Sequence, residues 1–248
     1  MSFRNFKLRI SYDGSRYFGF ERQPDKETIQ GKLEAVLSRM CEPEKIEVIG
    51  AGRTDAGVHA EAMVVHTFLP DHLQPEEIAS YMNRYLPDDI SVDEVRPASD
   101  RFHARYNAIG KTYRYTCYIG EKRPVFRRKY VTLLSVQPDV EKMKEAAGYL
   151  VGTHDFKSFC GNPKMKKSTV RTIDQLQIRQ SKGYLTFLIH GNGFLQHMVR
   201  IVVGTLLEVG EGKYPPDRVR EILEAKDRRL AGPTAEAGGL CLVKVDYM

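Results

Sequence analysis

The sequence predicts an α/β (α+β) protein made of two ferredoxin-like halves, and three observations lead to that prediction. Short segments in which apolar and polar residues alternate, as in half-buried strands, are separated by stretches with helical periodicity. The order of these segments is β-α-β-β-α-β, and it occurs twice along the chain. With 248 residues, the chain is long enough for two compact domains. We expect residues 1–105 and 106–248 to form the halves, with mixed, mostly antiparallel sheets joined around a central cleft.

The first half opens with alternating apolar and polar side chains that stop at Gly14, which indicates a strand. Thr28 is a suitable N-cap for the first helix, because its hydroxyl can accept a hydrogen bond from a free backbone N–H. Pro75 suits the first position of the second helix, which should end at Pro87. The predicted elements are strands at 6–12, 46–49, 62–68 and 90–95 and helices at 29–40 and 75–87.

The second half contains a hairpin, because two alternating segments flank the turn residues Ser181-Lys182-Gly183. It also contains the strongly apolar segment Phe194–Val209, which we expect to be a helix. The predicted elements are strands at 113–119, 169–179, 184–190 and 240–245 and helices at 140–150, 194–209 and 217–226.

Composition narrows the possible functions. Lys and Arg outnumber Asp and Glu by 38 to 32, for a net charge of +6, which permits a polyanionic partner without requiring one. The four cysteines are scattered and form no C-x-x-C pair, so neither a zinc ribbon nor a redox motif is indicated. No apolar run approaches the roughly 20 residues of a membrane helix. Because the first residues are polar, we expect no secretion signal, and scattered thiols in a chain without such a signal suit the reducing cytoplasm.

A glycine-rich loop at Gly50–Ala60 contains the most unusual sequence of the chain. It does not fit a dinucleotide-binding loop, because Asp55 stands where the third glycine of G-x-G-x-x-G is needed. The loop could instead present Asp55 as a nucleophile or general base, with Arg53 as the counter-charge that keeps it ionised. The alternative is a plain turn in which Asp55 caps the backbone and Arg53 lies in solvent.

The loop sequence GRTDAGVHA at Gly52–Ala60 resembles the signature of the tRNA pseudouridine synthase A family. Other motifs that resemble the family occur in the same order along nearly the whole chain. They are Tyr12–Gln23, Phe102–Arg105, Lys111–Tyr115, Asp155–Phe159, His197–Arg200 and Gly238–Leu240. One departure is Phe20, where the family commonly has Trp. A phenyl ring keeps an apolar aromatic group at this position but lacks the indole N–H donor.

The resemblance implies an isomerase that converts uridine into pseudouridine at positions 38–40 of the tRNA anticodon stem-loop, after flipping the base out of its stack. It implies that Asp55 is the essential catalytic aspartate, that Tyr113 stacks near the target base, and that Arg200 pairs with the catalytic carboxylate. The residues alone leave an alternative open for each of the last two roles. Tyr113 also suits packing in the strand core, and spacing does not distinguish it from Tyr115 on the same strand face. Arg200 also suits a solvent-facing position on its helix. The reaction adds no atoms, so no cofactor or metal is expected.

The expected partners are tRNA and a second copy of the chain, since the resemblance implies a homodimer. The candidate RNA-binding residues come from the family motifs and from the basic cluster Lys164–Lys167. They are Arg53, Arg22, His59, Arg105, Lys111, Lys166, Lys167 and His197. Two rival interpretations remain. One is a non-catalytic RNA-binding protein, and the other is a hydrolase that uses Asp55 and His59, although no metal-ligand or triad spacing supports a hydrolase.

Overall fold

The computed structural model describes residues 2–162 and 164–248. The chain divides into two compact units, of which the first comprises Met1–Ile109 with Leu242–Met248 and the second comprises Gly110–Cys241. The predicted halves 1–105 and 106–248 are divided at a different position, and their assignment stays a prediction. The last seven residues belong with the first unit.

The described residues form a mixed α+β structure, as the sequence predicts. In chain order the elements are β1 Phe3–Tyr12, α1 Ile29–Met40, β2 Ile49–Gly50, β3 His59–Pro70, α2 Pro75–Tyr85, β4 Ile90–Pro97, β5 Ala108–Tyr118, β6 Thr132–Leu133, α3 Val140–Gly148, β7 Gly152–Asp155, β8 Val170–Ser181, β9 Tyr184–Gly191, α4 Met198–Gly210, α5 Arg218–Ala225 and β10 Leu240–Tyr247.

The first unit has the predicted β-α-β-β-α-β order over β1 to β4. Its strands are arranged β4-β1-β3-β10, and the short β2 pairs with β3. β1 runs antiparallel to both β3 and β4. The apolar residues of the alternating pattern in β1 are buried, which explains why the period of two was visible in the sequence. The Thr28 hydroxyl accepts a hydrogen bond from Gly31 N at 3.2 Å, so the predicted N-cap of α1 is confirmed.

The second unit contains β5-β9-β8-β7 in antiparallel pairs, with β6 parallel to β5. The predicted hairpin is confirmed as β8 and β9. The strands β6 and β7 were not predicted, because two and four residues are too few to establish an alternating pattern. The predicted helix at 194–209 begins only at Met198, since the Gln196 carbonyl accepts a hydrogen bond from Gly161 N and His197 has a positive φ of 58°.

Candidate active site

The loop that carries Asp55 joins β2 to β3 in the first unit, and a neighbouring segment of the chain supports it. The Phe20 N–H donates to the Thr54 carbonyl at 3.0 Å, and the Gly57 N–H donates to the Tyr17 carbonyl at 3.3 Å. The Tyr12 hydroxyl lies 2.7 Å from Thr54 Oγ1 in a buried hydrogen bond. The loop is therefore held on both sides of Asp55 by the segment that follows β1.

Gly19 and Gly57 have positive φ angles of 96° and 79°, in a region that L side chains rarely adopt. A Cβ at Gly19 would lie 2.8 Å from the Thr54 carbonyl oxygen, which is too close for real atoms. A glycine at position 19 is thus needed for the close contact with the Asp55 loop. Sequence reasoning missed this, because the two segments are far apart along the chain.

Asp55 is half-buried at the turn of the loop. Its carbonyl accepts a hydrogen bond from Val58 N at 3.1 Å, so the backbone reverses direction just after the carboxylate. Nearby, the Arg53 guanidinium forms an ion pair with Glu21 at 2.9 Å, and both side chains are largely exposed. Glu21 was not predicted as part of this region. The expected role of Arg53 as counter-charge or RNA contact stays a prediction.

His59 is buried at the start of β3 rather than exposed on the surface. Its Nδ1 accepts a hydrogen bond from Gly14 N at 3.1 Å and lies 3.2 Å from Asp13 Oδ1. The backbone contact favours a ring whose Nδ1 carries no proton, so we interpret the approach of Asp13 as proximity rather than as a charged pair. His59 joins the end of the loop to the end of β1, which supports a structural role.

Phe20 replaces the Trp that the family commonly has, and its ring is 2% exposed. It packs under the loop, where a Cβ at Gly50 would lie 2.5 Å from the ring. The Tyr12 ring lies 6.5 Å away between centroids. Because the ring is enclosed by other groups, it fills the site as an apolar aromatic group.

Tyr113 and Tyr115 lie on one face of β5 in the second unit, and their environments differ. Tyr115 is fully buried, and its hydroxyl contacts Thr132 Oγ1 at 2.5 Å and donates to the Glu236 carbonyl at 2.8 Å. Burial raises the pKa of the Tyr115 hydroxyl above its ordinary value. Tyr113 retains 9% exposure and packs edge-on against Phe194 at 5.3 Å. Tyr115 is therefore a structural residue, whereas Tyr113 keeps some access to solvent.

Arg200 lies in the first turn of α4 and is half-buried. Its Nε donates to the Ala235 carbonyl at 2.7 Å, and its own carbonyl accepts a hydrogen bond from Ala235 N at 3.1 Å. These two contacts fix the backbone and one guanidinium nitrogen of the side chain. The arginine is thus held in a defined position within an otherwise apolar helix. The expected partner of its guanidinium, Asp55, stays a prediction.

Other predicted RNA-binding residues occupy varied positions. Arg22 pairs with the buried Glu34 at 2.9 Å, and Glu34 also accepts hydrogen bonds from Gln30 and Val48 N. Arg22 thus has a structural contact even though its own side chain is largely exposed. Arg105 is exposed in a tight turn where His103 Nδ1 accepts from its backbone N–H at 3.2 Å. The remaining candidates lie in the second unit; Lys111 and His197 are half-buried, and Lys166 and Lys167 are exposed.

Among the residues that the structure describes, no group of three or more His, Cys, Asp or Glu side chains is arranged to hold a metal ion. Within the same described ranges, no helix has the length and apolar character required to cross a membrane.

Comparison with known proteins gives consistent matches over the whole chain. A family model described as tRNA pseudouridine synthase matches residues 9–107 and 146–248. A protein named tRNA pseudouridine synthase A from Bacillus sp. (strain KSM-64) is 46% identical over 98% of this chain and 99% of its own length. A protein of the same name from Geobacillus sp. (strain WCH70) is 45% identical, with 98% of both chains covered.

Solved structures are more distant. A chain in the crystal structure of the archaeal box H/ACA sRNP Nop10-Cbf5 complex has a TM-score of 0.35 and 11% identity. The match covers 91% of this chain and 60% of that chain. A TM-score this low supports no argument about function.

Proposed function

Since the chain belongs to the tRNA pseudouridine synthase family, we propose that it converts uridine into pseudouridine in tRNA with Asp55 as its catalytic group. The observation that carries this proposal is the placement of Asp55 in a glycine-rich loop held by the Tyr12–Phe20 segment. A carboxylate acts as nucleophile or base when the surrounding structure orients it. The contacts on both sides of Asp55 hold the loop backbone, which supports a defined orientation of the carboxylate.

The reaction breaks the bond between ribose C1′ and uracil N1 and forms a bond between C1′ and uracil C5. The proton on C5 is lost, and N1 gains one, so atoms and electrons balance without an external reagent. Asp55 is proposed to act at the ribose or the base, and its carboxylate also suits removal of the proton. The detached uracil must be retained while it turns, which requires a pocket that prevents its escape into solvent.

The target uridine must leave its stack before it reaches a carboxylate. Flipping a base takes a few kcal/mol, which contacts in the active site offset. Tyr113 is proposed as the stacking residue, since stacking on an aromatic ring contributes about 1–3 kcal/mol per base. Its edge-on packing against Phe194 would hold the ring in one orientation. Arg200 is proposed as the residue that keeps the catalytic carboxylate ionised, and its contacts with Ala235 support a fixed position.

The substrate is proposed to be the tRNA anticodon stem-loop, with uridines at positions 38–40 as targets, and the protein is proposed to act as a cytoplasmic homodimer without a cofactor. The family resemblance carries these finer assignments. Exposed basic residues, among them Arg53 and Arg105, suit contacts with RNA phosphates.

The direct test uses tRNA that carries tritium at C5 of uridine. Isomerisation releases this tritium to water, and the modified positions are then mapped along the same tRNA. We expect the released tritium to be proportional to the pseudouridine formed, and we expect the modified positions to lie within the anticodon stem-loop. Tight tRNA binding with no release would instead favour the non-catalytic RNA-binding interpretation. Modification outside the anticodon arm would retain the enzyme but remove the proposed positions.

A further inference from the structure

The motif Asp155–Phe159 has no role in the proposed chemistry, yet it forms the base of a pocket in the second unit. The pocket has a volume of about 410 Å³, within the size range of small-ligand sites. It is lined mostly by polar and charged groups from β7, the start of β8, the loop between them and the residue that follows α5. The basic members of this lining are Lys157, Lys166, Lys167 and Lys226.

The motif itself explains why these elements meet. Phe156 and Phe159 are fully buried, and the Ser158 hydroxyl donates to the Ile222 carbonyl in α5 at 2.5 Å. These contacts attach α5 to the turn that follows β7. Lys226, the residue just after α5, is thereby brought to Asp155, with 3.2 Å between Nζ and the carboxylate.

Asp155 organises the floor of the pocket. Its carboxylate accepts hydrogen bonds from the Thr169 hydroxyl and from Lys157 N, in addition to the ion pair with Lys226. Burial acts to raise the pKa of Asp155, but the hydrogen bonds from Thr169 and Lys226 outweigh it, so the pKa lies below its ordinary value. The carboxylate is therefore ionised at neutral pH, and its oxygens already contact Thr169, Lys157 N and Lys226.

The other three lysines are differently placed. Among the described residues 2–162 and 164–248, no carboxylate lies within ion-pair distance of the ammonium groups of Lys157, Lys166 or Lys167. All three side chains are exposed. A preceding turn orders part of the loop, because Asn162 accepts hydrogen bonds from the backbone N–H groups of Lys164 and Met165. The pocket thus carries a local excess of positive charge that the protein leaves unneutralised.

We propose that this lysine pocket, lined by Lys157, Lys166, Lys167 and Lys226, binds a backbone phosphate of the tRNA substrate. Its described lining contains no aromatic ring on which a base could stack, and Met165 and Val170 are its larger apolar members. Lysine ammonium groups attract phosphate as point charges, without reading the base sequence. The lysine pocket therefore contributes affinity and not the choice of uridine. This inference rests on the proposed function, because it takes tRNA as the polyanion.

The test compares two triple variants that each remove three positive charges. One replaces Lys157, Lys166 and Lys167 with Gln. The matched control replaces Lys142, Lys144 and Lys213, which are exposed lysines of the same unit that pair with Asp139, Glu141 and Glu208. The equilibrium constant for tRNA binding is measured for the full chain between 50 and 300 mM salt.

The lysine-pocket variant should bind tRNA at least about 10-fold more weakly. The slope of log K against log salt should decrease in magnitude by about 1, since the proposal places one backbone phosphate in the pocket and each lost phosphate contact removes close to one unit. The control should keep a slope near that of the wild type. Equal effects of the two variants would overturn the proposal, because general net charge would then explain both. An unchanged slope in the lysine-pocket variant would overturn it as well.

Two further measurements distinguish this inference from binding of a free phosphate compound and from the proposed function. Inorganic phosphate and uridine monophosphate are added as competitors. We expect each to displace tRNA only at concentrations at which salt of the same ionic strength also displaces it. Displacement at micromolar levels would identify a free phosphate compound as the ligand and overturn the assignment to RNA. Tritium release is measured in parallel; a wild type that binds through the lysine pocket but releases no tritium would contradict the proposed function and leave the lysine pocket standing.

Discussion

Asp55 lies in a loop that precedes a strand and Asp155 is the last residue of a strand, and different kinds of contact hold the two residues. Neutral backbone hydrogen bonds from Phe20 and to Tyr17 hold the Asp55 loop. The Asp155 carboxylate is instead held by its own side-chain contacts, including the ion pair with Lys226. Neutral contacts are insensitive to salt, whereas exposed charge contacts are screened. The proposed chemistry therefore depends on a salt-independent scaffold, and the proposed phosphate binding depends on a salt-dependent one.

The largest expected effect is at Asp55 itself. Asp55→Ala should lower turnover by about 10⁴-fold or more, because it removes the proposed catalytic group, while tRNA affinity stays within a few-fold of wild type. The measurement is steady-state pseudouridine formation beside equilibrium tRNA binding. The matched control is Asp88→Ala, the same change in an exposed turn of the same unit. Near-normal turnover by Asp55→Ala would show that Asp55 has no catalytic role, and it would remove the contrast between Asp55 and Asp155.

The next effect concerns Arg200 in the second unit. Arg200→Ala should lower kcat by about 10- to 100-fold, which is the range expected when a hydrogen bond to a charged group is lost. The fold should persist, as judged by circular dichroism and the unfolding midpoint. Arg200→Lys keeps the charge but not the planar fork, so we expect partial recovery. If both variants raised KM for tRNA and left kcat unchanged, Arg200 would be an RNA contact and not a partner of the chemistry.

A change at Gly19 tests whether the scaffold of the Asp55 loop matters. Gly19→Ala should destabilise the protein by about 1–3 kcal/mol, because it combines an unfavourable φ with a close approach to the Thr54 carbonyl. Turnover should fall in the fraction that stays folded. Gly148→Ala is the control, since a Cβ there meets nothing within 4 Å and Ala favours the end of α3. Urea unfolding of both variants provides the comparison, and equal stabilities would show that the loop does not need this glycine.

The smallest expected effect is a pH dependence at the buried His66 of β3. Burial, followed by the nearby His103, lowers the pKa of His66 below its ordinary value. A lowered pKa means that the unfolded chain binds the proton more tightly than the folded protein does. The contribution of His66 to the free energy of unfolding is therefore fully present above about pH 6.5 and is lost as the pH drops. The free energy of unfolding of wild type should fall more between pH 7.5 and 5.5 than that of His66→Gln. Equal changes would assign the pH dependence to other groups.

The sequence anticipated elements whose pattern is regular and local. The strand β1 and the helix α1 were predicted because their buried residues repeat with the period of each element. The short strands β6 and β7 carry too few residues for any period to show, and the late start of α4 depends on a contact between Gln196 and Gly161. Local regularity is therefore visible in the sequence, whereas contacts between distant segments are not.

The same distinction applies to the candidate site. Asp55 was identified because its loop has an unusual composition and resembles a family signature. The support from Tyr17 and Gly19, the pairing of Arg53 with Glu21 and the approach of Lys226 to Asp155 join segments that no local pattern connects. The sequence predicted Asp55 as the candidate catalytic residue, and the structure adds what holds its loop.

The central claim is that the Asp55 carboxylate isomerises uridine in tRNA, and a single-turnover experiment tests it most directly. Excess wild-type protein and excess Asp55→Asn protein are each mixed with tRNA carrying tritium at uridine C5, at a concentration where both bind fully. The wild type should release the tritium of each target uridine in one fast phase, and the Asn variant, which keeps the side-chain size but lacks the charge, should release none. Tritium release by the Asn variant at the wild-type rate would contradict the account.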